Sequence, residues 1–187
     1  MKTPSALALS DGDGTLKALT VWQPWASLIV YRVKPYEFRA RRPPAGMVGR
    51  RIAIHAGARP VQLAELRDLV DRLSGSEAWT TGLMPAALDF LKRALEAPGL
   101  LPLSAVLGTA VLGAGVSAGE LAPELRLTVN DSDRLNHCNF GWPLSEVERF
   151  DVPVPARGAQ GFWAWRRPAA APTVAASGIA ETDHVRV

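Results

Sequence analysis

The sequence predicts an α+β fold, a small and mostly antiparallel β-sheet or barrel decorated with an N-terminal helix and two further helices. Three observations lead there. The chain has 187 residues, 48% hydrophobic and 21% charged, which suits one domain with a real core and excludes a wholly disordered, coiled-coil or collagen-like chain. Segments with the two-residue period of strands and segments with helical spacing follow one another as strand, helix, strands, two helices, strands, without the rhythm of a parallel βαβ sheet. The apolar stretch Val106 to Val116 is punctuated by Gly108, Gly113 and Gly115, which marks a bent or bulged strand.

Taken in order, residues 1–16 are small and polar and residues 168–187 are mostly Ala, Pro, Thr and Ser, so both read as mobile tails around a domain spanning 17–167. Ala18 to Val21 is a short apolar run. Pro24 then suits the first position of a helix carrying Trp25, Ala26, Leu28, Ile29 and Val30, because proline lacks only an N–H that the first turn leaves unpaired. From Pro35 to Arg41, Tyr36, Phe38 and Ala40 alternate with Glu37, Arg39 and Arg41, the period of a strand with one face in the core. After a Pro-, Gly- and Arg-rich loop, Ile52 and Ile54 alternate with Ala53 and His55 in a second strand. Helical spacing of Leu63, Leu66, Leu69, Val70 and Leu73, then of Leu88, Leu91 and Leu95, predicts two helices between Pro60 and Pro98. Further strands are expected around Leu144–Val152 and Phe162–Arg166, where Trp163 and Trp165 share a face that suits burial.

Several chemistries are excluded. The single cysteine, Cys138, cannot form an intramolecular disulfide, and no zinc spacing occurs, which points to a reducing compartment and to no metal or cofactor. The N-terminus lacks a signal peptide's apolar stretch and no run of eighteen apolar residues exists, so a soluble cytoplasmic protein without a membrane partner is expected, with a monomer as the default while the sequence leaves the oligomeric state open. Asp11-Gly12-Asp13-Gly14-Thr15 matches the nucleophile motif of haloacid-dehalogenase-type phosphatases, yet the parallel α/β sheet that such a motif requires does not follow it. As a calcium loop it fails, with Leu16 where Gly is needed and Trp22 where Glu is needed. His137 and Cys138 are neighbours whose side chains point apart in an extended chain, and His184 lies in the tail.

Charge is more informative when placed than when summed. The net charge of +3 argues nothing alone, but Arg32, Lys34, Arg39, Arg41, Arg42, Arg50 and Arg51 against Glu37 give +6 within twenty residues and leave −3 elsewhere. A basic stripe beside aromatic faces suits single-stranded nucleic acid, since cations neutralise phosphates while rings stack on bases. The same stripe also fits a merely solvated surface. Within it, Lys34, Glu37 and Arg39 form a polar cluster that either binds a base edge or is a surface ion-pair trio.

Leu19-Thr20-Val21-Trp22-Gln23-Pro24-Trp25-Ala26-Ser27-Leu28-Ile29-Val30, followed by Lys34-x-x-Glu37-x-Arg39, resembles the N-terminal signature of the ASCH (activating signal cointegrator homology) domain. Phe140-Gly141-Trp142-Pro143-Leu144 and Pro155 to Trp165 resemble that family's C-terminal strands, so the likeness covers about 17–167. The family pattern is Gly-x-Lys-x-x-Glu-x-Arg, and Arg32 stands at its glycine position. The resemblance implies a PUA-like β-barrel with a cleft, in which the two helices form a family-variable insertion of about 60–100, a role in RNA metabolism, and RNA or a nucleotide or modified nucleoside as partner. Lys34, Glu37 and Arg39 become pocket residues, with Gln23 and Trp25 beside them, His55 and Trp142 at the rim, and Arg41 and Arg42 on the basic stripe. Some relatives hydrolyse N4-acetylcytidine with a Lys, a Thr at the position of Glu37 and a further Glu. Here Lys34 and Glu37 would be the catalytic pair, with Thr20 or Ser27 supplying a hydroxyl or Glu37 activating water. Others have been assigned ribonuclease activity, for which Lys34 and Arg39 would stabilise the phosphorane while Glu37 or His55 moves protons.

Overall fold

The structure is a computed structural model that describes residues 14–76, 78–125 and 140–168. Asp11 to Asp13, His137, Cys138, His184 and the stretch from 169 onward lie outside the described residues.

Strand β1 (Thr15–Val21) leads into helix α1 (Trp25–Val30), followed by β2 (Tyr36–Arg39) and β3 (Arg51–Ala56). Helices α2 (Leu63–Ser74) and α3 (Ala87–Glu96) form the insertion. The chain then runs through β4 (Ala105–Leu112), β5 (Val116–Ser117), α4 (Ala118–Leu125), β6 (Phe140–Pro155) and β7 (Phe162–Arg166). The seven strands form one mixed sheet in the order β2-β6-β4-β3-β1-β7, with β5 paired to β6. β1 and β3 run parallel and the other described pairs are antiparallel. The α+β class expected from the sequence is observed.

Two boundaries differ from the sequence reading. β1 starts at Thr15, inside the expected tail, because Thr15 pairs with Arg166 and Leu16 is buried. Polar Lys17 and Thr20 interrupt the apolar run and hide its length. β6 is longer than expected, with register shifts against β4 that break its two-residue period, and β5 and α4 are elements that no spacing signals.

The sheet is covered on both faces. Leu19 and Val21 of β1 and Ile52, Ile54 and Ala56 of β3 pack with Ala26, Ile29 and Val30 of α1 and with Trp142 and Leu144 of β6. The alternate residues Leu16, Ala18 and Ala53 face the other way and meet Val106, Phe150 and Trp165, with Trp163 against them. Both tryptophans thus join a core, as their shared strand face suggests. α1 lacks a side-chain cap on its own Pro24, and Gln23 supplies the bond instead, its Oε1 accepting from the Ser27 N–H at 3.1 Å. The insertion docks through an apolar stripe: Leu66 and Leu69 of α2 and Leu91 and Ala94 of α3 enclose Leu28 of α1 and Val33. Glu65 and Asp89 sit in first turns and Arg72 and Arg93 in last turns, matching the helix dipoles. No helix among the described residues is long and apolar enough to cross a membrane.

Gly108 sits where β4 shifts register against β6, and a Cβ there would overlap the Glu148 carbonyl oxygen. Backbone on both sides cannot yield. Gly108→Ala is therefore expected to cost about 3 kcal/mol or more by overpacking, read as a lower urea midpoint with an unchanged slope.

Candidate functional site

The Lys34, Glu37 and Arg39 cluster forms where the end of α1 turns into β2. Arg32, at the turn, has φ 62°, the left-handed conformation that glycine adopts without strain. Its guanidinium offsets part of that strain by donating to the Val147 carbonyl at 2.6 Å. Two residues on, Lys34 is 1% exposed, and its Nζ lies 4.8 Å from the Trp25 ring centroid and 5.0 Å from that of Phe38. Ring faces are a favourable setting for a desolvated ammonium. Glu37 is 6% exposed and accepts from Arg39 Nη2 at 2.9 Å. Arg39 also donates to the Thr20 carbonyl at 3.2 Å and lies over Trp142 at 5.9 Å.

The cluster is closed rather than an open cleft. Both faces of β2 are covered, so the alternation of Tyr36 and Phe38 with Glu37 and Arg39 does not divide core from solvent. Arg39, with its side chain 34% exposed, is the member that reaches the surface. A cavity of about 230 Å³ borders Lys34 on the side of Arg32 and residues 144–147 of β6, but Glu37 and Arg39 do not line it.

The seven cations do not form one stripe. Lys34 is inside, and Arg51 is spent on Glu146 at 2.8 Å and Glu148 at 3.4 Å across β3, β4 and β6. Arg41 and Arg42 remain exposed. Arg42 donates to the Gly115 carbonyl and lies over the Phe140 ring at 4.8 Å. Arg39 and Arg42 are thus both guanidinium groups backed by an aromatic ring of β6.

Other expected site residues have structural tasks. Gln23, 2% exposed, caps α1 and donates to the Pro102 carbonyl at 2.8 Å, tying the helix to the end of the insertion. Trp25 flanks Lys34 and donates its indole N–H to Glu65 at 3.3 Å. Trp142 is not at a rim: it is 7% exposed, donates to the Arg41 carbonyl at 2.7 Å and stacks on Phe162 of β7 at 6.0 Å with planes 7° apart. That stack escapes sequence reasoning, since residues in separate strands carry no spacing signal.

His55 is not at a rim either. It is 1% exposed, shares the β3 face of Ala53, and contacts Trp163 edge-on at 5.3 Å. Nε2 lies 3.0 Å from the Ala156 carbonyl, which can only accept, so the ring's proton belongs on Nε2. Nδ1 faces Thr20 Oγ1 at 3.2 Å. That hydroxyl accepts from the Trp163 indole at 3.0 Å, and its one proton serves either Nδ1 or the Ala159 carbonyl at 2.9 Å. Thr20 and His55 together pin the 156–161 loop to the sheet, and a Cβ at Gly158 would strike the imidazole. Burial lowers the His55 pKa, and the Ala156 bond opposes it only in part. No group of three or more His, Cys, Asp and Glu able to hold a metal exists among the described residues.

No family model matches the chain, and no curated protein matches it. The geometry itself offers anchored guanidinium groups at a surface, over buried charge that two aromatic rings and an arginine enclose.

Two outcomes follow. Because the folded protein disfavours the imidazolium, the unfolded chain takes up a proton first as pH falls below the ordinary value of 6.5. Stability should be intact above that pH and decline as pH drops through it, and the melting temperature of His55→Gln should vary less between pH 7.5 and 5.5, values chosen about one unit either side of the imidazole pKa. At the turn, Arg32→Gly and Arg32→Ala both lose the bond to Val147, but only glycine relieves the left-handed backbone. The glycine variant should be the more stable by about 1 kcal/mol in chemical denaturation.

Proposed function

We propose that the chain is a domain of the ASCH type, a PUA-like barrel, that binds single-stranded RNA or a nucleotide along the surface of Arg39, Arg41 and Arg42. The observation that carries this reading is Arg39, fixed by Glu37 and the Thr20 carbonyl over Trp142, with Arg42 fixed likewise over Phe140. A guanidinium already held in place loses little freedom on binding, neutralises phosphate, and offers its outer face to a base. Arg41 adds an exposed charge between them.

The barrel is supported by the way the sheet's two ends approach each other. Arg39 of β2 reaches the Thr20 carbonyl of β1, and Trp142, paired to β2, stacks on Phe162 of β7. The ASCH assignment is supported by Arg32, since a left-handed residue stands where the family pattern has glycine. Hydrolysis has less behind it. Glu37 is ion-paired and enclosed, Ser27 is buried, Thr20 is held by the 156–161 loop, and His55 is committed to Ala156.

Fluorescence anisotropy of a labelled single-stranded RNA tests the proposal. Affinity should fall steeply with salt, and the double variant Arg41→Ala, Arg42→Ala should bind more weakly, with the slope of log K against log salt shallower by about 0.7 for each phosphate no longer neutralised. An affinity indifferent to salt would sink it.

A further inference from the structure

We infer that the helical insertion and the sheet together build a second binding pocket, for a small monocarboxylate with an aromatic or branched apolar body. The pocket is a cavity of about 410 Å³ between α1, α3 and the β4–β6 pair, within the size range of small-molecule sites. It shares no lining residue with the Lys34, Glu37 and Arg39 cluster.

Its chemistry is layered. The floor is apolar, with Val30 at the end of α1, Leu101, and Leu107 of β4 all buried. One wall is aromatic: Tyr31 and Phe90 pack with ring centroids 4.8 Å apart and planes inclined by 43°. The charged lining residues, all exposed, are Arg93 from α3 and Arg149 and Asp151 from β6. Two guanidinium groups against one carboxylate leave a single positive charge at the mouth, which complements one anionic head group.

The site is built rather than incidental. Arg149 lies 4.8 Å over the Tyr31 ring and donates to its hydroxyl at 3.3 Å, so one cation is held at the pocket by the aromatic wall itself. Arg93 forms no salt bridge with any described residue. An apolar body entering the cavity would cover Phe90 of α3 and Leu101, which follows the insertion, while a carboxylate at the mouth would accept from Arg149 and Arg93. A neutral ligand of the same shape would leave that single charge unmatched.

Isothermal titration of the full chain with 3-phenylpropionate and with 4-methylpentanoate, each against its amide, tests this inference. Saturable binding of a carboxylate is expected, weaker by about tenfold or more for the amide and for the double variant Arg93→Gln, Arg149→Gln, as the loss of charge-assisted hydrogen bonds requires. Circular dichroism should report that variant folded, since both side chains lie at the rim. Equal binding of acid and amide, undiminished binding by the folded double variant, or no saturable binding of either acid at millimolar concentration would overturn it.

Discussion

Two charged side chains, Lys34 and Glu37, lie almost wholly inside this protein, and taking an ion out of water costs several kcal/mol unless its surroundings compensate. Much of the fold can be understood as that compensation. α1 delivers Trp25 and β2 delivers Phe38 to the ammonium, while Arg39 meets the carboxylate and is itself steadied by β1 and by Trp142 of β6. Phe162 of β7 backs Trp142. One helix and four strands therefore converge on two buried charges, and a substitution that breaks any part of the set leaves an ion facing an apolar interior.

The opposite side of the sheet is secured by neutral hydrogen bonds. Thr20, His55 and Trp163 hold the 156–161 loop, and the loop's glycine allows the imidazole to approach. The two sides meet in one residue. Thr20 gives its carbonyl to Arg39 and its hydroxyl to the loop, so the charged cluster and the neutral network share a single backbone position. The insertion is not an appendage to this arrangement: it closes over Leu28, bonds to Trp25 through Glu65, and contributes to both a core and a cavity.

Much of the fold is legible in the sequence because local periods survive burial. The strand at Tyr36–Arg39, the strand at Arg51–Ala56 and both insertion helices stand where spacing predicts them, while the glycine-rich strand expected to run to Val116 ends at Leu112. What resists reading is irregular or tertiary. β6 changes register along its length and so loses its period, and β1 is masked by Lys17 and Thr20. For the site, residue types in the Lys34 to Arg39 segment announce a polar cluster, but its burial depends on Trp25, Trp142 and Phe162, which lie in other elements. His55 and Gln23 look like binding groups in isolation. Only their partners, the Ala156 carbonyl and the Ser27 amide, reveal them as fasteners.

The pairing of β1 with β7 has a consequence for how the protein is made. β1 emerges from the ribosome before the other strands, yet its neighbour on one side is β3 and on the other is β7, which is completed only at Arg166. Until β7 is made, β1 has one edge without its partner, exposing a template for wrong pairing. Leu16 and Ala18 meanwhile wait for Trp163 and Trp165 to cover them. Nascent chains stalled before residue 162 should therefore be clients of the chaperones that shield open strand edges, and the domain's birth, rather than its finished state, is its period of greatest exposure.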